Sequence, residues 1–164
     1  MKYIKIFEEY NKNNFFDSKK YKGTIVFRGM DSDEFHKAMR GESIGYFFSE
    51  NKNFTNDYGE HIIQAVLDTD NVFNSLDDRN IIKLFKEGFE LYDNHSDTTF
   101  KTYNEYSDSN IGDSDTWDII ENSDGVLEWV MSNYDACYIT EGGQSNYYIN
   151  QPFKYLKDIK ELIN

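Results

Sequence analysis

The apolar residues recur in short runs, some continuous and some at helical spacing, broken by Gly, Asn, Asp and Ser. Tyr3, Ile4, Phe7 and Tyr10 keep helical spacing and predict an amphipathic helix from Met1 to about Lys12. Thr24 to Met30, punctuated by Gly23 and Gly29, predicts a buried strand that carries Arg28 near its end. Asp31 or Ser32 then caps a helix through Phe35, Ala38 and Met39 to Gly41. Ile44 to Phe48 predicts a second strand, Asn51 to Tyr58 a short helix stopped by Gly59, and His61 to Asp68 a third strand. Asp77 and Asp78 place acids in the first turn of a helix bearing Ile81, Ile82, Leu84, Phe85 and Phe89. Trp117, Ile120, Val126, Leu127, Trp129 and Val130 predict a helical segment to Asn133, interrupted at Gly125. Asp135 to Thr140 and Asn146 to Asn150 predict a hairpin turned by Gly142-Gly143. A closing helix from Pro152 would face Phe153, Leu156, Ile159 and Leu162 or Ile163 inward and Lys154, Lys157 and Lys160 outward.

Between the helix after Asp77 and Trp117 the periodicity fades. Asp93 to Asp124 holds nine acids against Lys101, so Asp93 to Asp115 predicts a long acidic insertion loop, peripheral to the core. The 164 residues are enough for one domain with a real core and too few for two ordinary ones. Thirteen Phe and thirteen Tyr make that core aromatic.

A net charge of −13 argues against direct nucleic-acid binding and against an anionic membrane surface, since both require clustered cations. It suits instead a basic partner protein, including one that itself holds nucleic acid. The single Cys137 excludes an internal disulfide framework and reads as a small core residue rather than a nucleophile. No run of about 18 apolar residues occurs, and the expectation is a cytoplasmic protein. His36, His61 and His95 lack metal-ligand spacing and no Cys pair exists, so no metal site is expected.

Arg28 at the edge of a core strand needs either a neighbouring carboxylate or an anionic ligand. Gly29 beside it leaves backbone open to a ligand. Two further fragments carry candidate chemistry: Tyr46-Phe47-Phe48-Ser49 leading to Tyr58, and Ile139-Thr140-Glu141-Gly142-Gly143-Gln144. In this order the three resemble the motifs of mono-ADP-ribosyltransferases, over about Gly23 to Lys160. That family has an Arg or His at a strand end, then an aromatic and Ser/Thr strand followed by another aromatic, then a Glu beside the final strand pair. Small bacterial and phage-borne members, some of them anti-CRISPR proteins, share a further arrangement. A Trp-initiated helix runs into a GYDG-type strand, a Glu and Gly-rich turn, and a last strand ending near an NP dipeptide. Trp117, Tyr134-Asp135-Ala136-Cys137, Glu141-Gly142-Gly143 and Asn150-Gln151-Pro152 follow it here.

The resemblance implies an α+β fold: a split, twisted antiparallel β core with flanking helices, in one domain over residues 1–164 with the acidic insertion at about 93–115. It implies NAD as co-substrate, bound between the halves of the core, and transfer of ADP-ribose to a macromolecule, most simply a protein. Glu141 would be the catalytic acid and Ser49 would orient it. Arg28 would meet the pyrophosphate or adjoining ribose, Gly29 the nicotinamide amide, and Phe47 or Phe48 with Tyr58 the nicotinamide ring, with Gln144 nearby. In many members the Glu directly precedes the last strand, a slot held here by Gln144, Ser145 or Asn146. The alternative expectation is a non-catalytic, acidic interaction protein on the same scaffold.

Overall fold

In the computed structural model, residues 20–109 and 115–162 are described. The helix expected over Met1 to about Lys12 lies outside them. One seven-stranded sheet organises the molecule, in the order β4-β7-β8-β2-β1-β3-β9. Its strands are β1 (Ile25–Met30), β2 (Phe47–Ser49), β3 (His61–Leu67), β4 (Val72–Asn74), β7 (Ala136–Glu141), β8 (Gln144–Ile149) and β9 (Leu156–Leu162). All neighbours are antiparallel except β4 and β7. A separate two-stranded hairpin joins β5 (Leu91–Asp93) to β6 (Thr98–Phe100). Among the described residues the helices are α1 (Ser32–Met39), α2 (Asp78–Lys86), α3 (Tyr103–Asp108), α4 (Thr116–Asn122), α5 (Val126–Asn133) and α6 (Pro152–Tyr155), with a 3₁₀ helix at Asn53–Tyr58. The fold is α+β with a mainly antiparallel sheet. No helix among the described residues is long and apolar enough to cross a membrane.

Strand alternation sorts the core into two clusters, one on each face of the sheet. Val26, Met30, Phe48, Ala136, Tyr138, Tyr147 and Ile149 pack with Phe35 and Ala38 of α1. Tyr21, Tyr138 and Tyr147 meet there at centroid distances of 5.3 to 6.3 Å. On the other face, Phe73, Cys137 and Ile139 meet Ile81 and Leu84 of α2, Trp117, Ile119 and Ile120 of α4, and Val126 and Val130 of α5. Burial pushes the Cys137 thiol far up, so it stays protonated and packs as a small apolar group.

Several expected elements form for the reasons read in the sequence. Asp31 accepts from the Glu34 amide at the start of α1, and Asp77 from the Arg79 amide at the start of α2. Gly125, at φ +70°, separates α4 from α5. Gly142 and Gly143, at φ +54° and +73°, turn the β7–β8 hairpin as a two-residue loop requires. The second strand, expected over Ile44 to Phe48, covers only Phe47–Ser49, and β4 forms from a three-residue segment too short to signal itself.

The acidic stretch is not a long loop. It contains β6 and α3, and Phe100, 3% exposed, anchors it in the second cluster beside Leu91. The Thr102 hydroxyl and Glu105 side chain form a reciprocal cap on α3, a Thr-x-x-Glu signature the charge pattern obscured. The closing helix is also corrected. α6 makes a single turn, leaving Phe153 42% exposed, and the chain then pairs with β3 as β9. Pairing there satisfies backbone groups along β3 that an edge strand would leave open. Between Gln64 and Val66 the register shifts, with Lys157 opposite Val66 and Lys160 opposite Gln64. The extra residue, beside Asp158 at φ +51°, lets Leu156 and Ile159 reach one face although they are three apart.

Candidate active site

β1 and β2 are joined by one residue pair, Phe27 with Ser49. On one side of that seam lies β4-β7-β8-β2, and on the other β1-β3-β9. A cleft of about 330 Å³ opens at the seam. Its walls come from β1 (Phe27, Arg28, Gly29), β2 (Phe47, Phe48, Ser49), the 3₁₀ helix (Phe54, Thr55, Tyr58), the start of α4 (Trp117), and the β7–β8 hairpin (Glu141, Asn146). Arg28, Gly29, Phe47, Phe48, Ser49, Tyr58 and Glu141, singled out from three separate fragments, therefore line one cavity. Gln144 stands outside the lining, opposite Glu141 across the turn, and its side-chain oxygen accepts from Asn51 Nδ2 at 2.7 Å.

Register fixes the floor. Ser49 lies opposite Phe27 on one side and Asn146 on the other, and Asn146 lies opposite Ile139. Residues paired in this way project on the same face, so Phe27, Ser49 and Asn146 form a row across three strands, with Phe47 one step along. Phe47 meets Trp117 edge-on at 4.5 Å and Tyr148 edge-on at 5.2 Å, while Trp117 and Tyr148 stack at 5.7 Å. Phe48 alternates to the opposite face and is buried in the other cluster, while Phe47 shares the face of Ser49 and Asn146.

Trp117 and Glu141 share one anchor. The Thr116 hydroxyl accepts from the Thr140 amide at 2.9 Å and lies 2.6 Å from the Ser75 hydroxyl, and the Thr116 amide donates to the Thr140 hydroxyl at 3.2 Å. This buried network ties the first turn of α4 to the last residues of β7, and so holds the indole and the carboxylate on one frame.

Arg28 is 19% exposed at its side chain. Its Nη1 donates to the Phe47 carbonyl at 3.1 Å, Nη2 lies 3.6 Å from Glu34, and Nε is buried with no partner. Burial holds the guanidinium below its usual basicity, with Glu34 opposing. Both alternatives raised by the sequence are thus met in part: a carboxylate stands near, and one donor is uncommitted. The guanidinium is roofed by Gly45, where a Cβ would come within 2.5 Å of it. Gly29 lines the cleft and also lies against the 3₁₀ helix: a Cβ there would sit 2.0 Å from the Thr55 carbonyl oxygen, so the missing side chain admits that helix against β1.

Glu141 accepts from Asn146 Nδ2 at 3.3 Å. Burial raises its carboxyl above the ordinary range, Asp115 and Glu121 add to the rise, and Asn146 opposes it. The Tyr58 hydroxyl is pushed up by burial and then by the Glu141 charge, which places the two in one electrostatic neighbourhood. Ser49 does not take the orienting bond to the acid. Its hydroxyl donates to the Ser145 carbonyl at 3.4 Å and accepts from the Asn51 amide at 3.1 Å, capping the turn that follows. Asn146, 2% exposed, holds Glu141 instead, and its Oδ1 is buried without a partner.

Sequence reasoning passed over Phe27, Phe54, Thr55 and Trp117 as lining residues, and named Asn146 only as one of three residues in the slot before the last strand. The alternation of β1 could have brought in Phe27, which shares the face of Gly29. Trp117 was legible only as the start of a helix and Thr55 carried no signal, because packing alone brings their elements to the seam. His95, expected to stand apart, lies 3.2 Å from Asp118 and 3.9 Å from Asp93, outside the cleft lining. All three side-chain ligand atoms fall within 4.8 Å of one another. Both carboxylates also accept from the backbone amides of the same turn, Asp93 from His95 and Asp118 from Asn94, so the group clasps the β5–β6 turn to α4. Compared with protein-family models, with curated proteins and with solved structures, the chain matches none of them.

Proposed function

We propose that the chain is an NAD-dependent mono-ADP-ribosyltransferase that modifies a macromolecular acceptor, most simply a protein. The observation that carries this reading is the convergence at one seam of Arg28, Ser49 with Phe47, and Glu141. The single-pair junction between β1 and β2 supports the finer description of the fold as a split β core of the ADP-ribosyltransferase kind. The residues suit the co-substrate. Arg28 offers a cation in the cleft wall to phosphate charge, Phe47, Trp117 and Tyr58 offer rings to a nicotinamide, and Glu141 offers a carboxylate.

Transfer breaks the bond between nicotinamide and ribose, the nicotinamide leaving with the bonding pair. The acceptor nucleophile forms the new bond at the same carbon and gives up its proton. Positive charge builds on the ribose in between, as in glycoside hydrolysis. Glu141, partly desolvated and held by Asn146, faces that charge with little reorganisation. Its raised basicity also fits it to take the acceptor proton. Cytoplasmic action, in the producing cell or in an infected host, belongs to the same proposal, as does a phage or bacterial effector role.

Mass spectrometry of proteins co-expressed with the wild type and with Glu141→Gln tests the reading. One added ADP-ribose per acceptor, absent with the variant, is the expected result. A wild type that neither binds nor consumes NAD would overturn it. The net charge of −13 favours one second reading, an acidic protein that occupies a basic groove on a partner without catalysis. In that case partner binding survives Glu141→Gln unchanged and no ADP-ribose is found.

A further inference from the structure

Asp93, His95 and Asp118 come from the end of β5, the turn after it and α4, so no local spacing in the sequence announces them as a group. Asp93 Oδ1 stands 3.9 Å and Asp118 Oδ2 3.2 Å from His95 Nδ1, and the three residues' ligand atoms lie within 4.8 Å of one another. Ligands bound at about 2.1 Å around a tetrahedral zinc-sized cation stand about 3.4 Å apart, close to the spacing found here. The other oxygen of each carboxylate is held by a neutral side chain. The Ser96 hydroxyl donates to Asp93 Oδ2 at 2.5 Å, and Asn122 Nδ2 donates to Asp118 Oδ1 at 2.9 Å. Outer hydrogen bonds of this kind orient metal-ligating carboxylates. The two facing oxygens accept one backbone amide each, from His95 and Asn94, which leaves a lone pair free on both. Charge points the same way. Asp93 is only 8% exposed, and among the described residues neither carboxylate forms an ion pair with a Lys or Arg. A protonated His95 offsets one of the two negative charges, and Asp115 adds to the negative field at the imidazole. A dication beside a neutral imidazole balances both carboxylates, which are costly to enclose uncompensated.

We propose that Asp93 Oδ1, His95 Nδ1 and Asp118 Oδ2 bind a divalent cation of the zinc class, which pins the β5–β6 turn to α4. The nitrogen ligand selects against calcium and magnesium, which take oxygen ligands. His95 is exposed, so water completes the coordination from the open side. Asp118 follows Trp117 in α4, and the cation therefore also steadies the helix that supplies the indole to the cleft wall. This site is independent of what the cleft itself binds.

Calorimetric titration of the chelator-stripped whole protein with zinc chloride, and separately with calcium chloride and magnesium chloride, tests this, with thermal scans beside it. Zinc should bind and raise the melting temperature, while calcium and magnesium at the same concentration do neither. His95→Ala should weaken zinc binding on the order of a hundredfold and abolish the thermal shift. Ser96→Ala, which removes only an outer hydrogen bond, should weaken it on the order of tenfold. Because the His95 side chain is exposed, its replacement leaves the core intact. A wild type that does not bind zinc overturns the proposal, and so does equal affinity in His95→Ala. Equal stabilisation by calcium overturns it as well, since that marks an acidic surface without a nitrogen ligand. Each of these failures leaves the NAD reading standing.

Discussion

In the transfer proposed above the Glu141 carboxylate acts charged, while burial and the nearby Asp115 and Glu121 disfavour the charge. Glu141→Gln keeps size and one acceptor but removes the charge, so NAD affinity should hold while transfer falls on the order of a hundredfold or more. Steady-state kinetics beside calorimetry separates the two. The acid limb of the wild-type rate profile should lie above the ordinary glutamate value of about 4.3 and disappear in any residual activity of the variant. Stability runs the other way. A carboxyl raised by folding favours the native state below its unfolded pKa, and that advantage is lost as pH rises through the folded one. Glu141→Gln should therefore raise the melting temperature slightly at neutral pH and leave it unchanged at low pH. Gly29 makes a sharper steric prediction. With backbone carbonyl 2.0 Å from an added Cβ, Gly29→Ala should destabilise by about 1–3 kcal/mol in denaturant titration, displacing the 3₁₀ helix that carries Phe54 and Tyr58.

The β5–β6 hairpin and α3 show how an element can be hidden by its own composition. Acids and small polar residues dominate the stretch, yet Leu91 and Phe100 are 0% and 3% exposed and join the cluster under α4. Deleting such a segment would remove core, not decoration. Phe100→Ala should cost about 3–5 kcal/mol by chemical denaturation, the range for a buried aromatic truncation; a loss of a few tenths would restore the peripheral loop. His95 adds a pH-dependent tie between this hairpin and α4. Asp118 raises the imidazole above its ordinary value, so the tie is complete below about 6.5 and weakens as pH rises through the raised value. Thermal scans across pH 5 to 9 should show that slope in the wild type and lose it in His95→Gln. β9 teaches the converse. Its period-three apolar positions match a helix, and only the open side of β3 and the shift near Asp158 make them a strand.

Across the whole molecule the net charge of −13 works against compaction, because like charges repel within the folded volume. Added salt screens that repulsion, with a Debye length near 10 Å at 0.1 M. Raising sodium chloride from low concentration to about that level should increase the melting temperature. The sequence by itself determined the local chemistry: the capped starts of α1 and α2, the strand at Arg28, the two-glycine hairpin, and the Arg, Ser and Glu fragments that meet at the seam. These are written in neighbouring residues, through hydrogen bonds and periodicities that close within a few positions. Tertiary structure alone decided the remainder. Whether Leu156 to Leu162 is helix or strand depended on its pairing with β3, far away in the chain. Whether Ser49 or Asn146 held Glu141 depended on which side chains packing and register brought within hydrogen-bond reach, information that no local stretch of sequence carries.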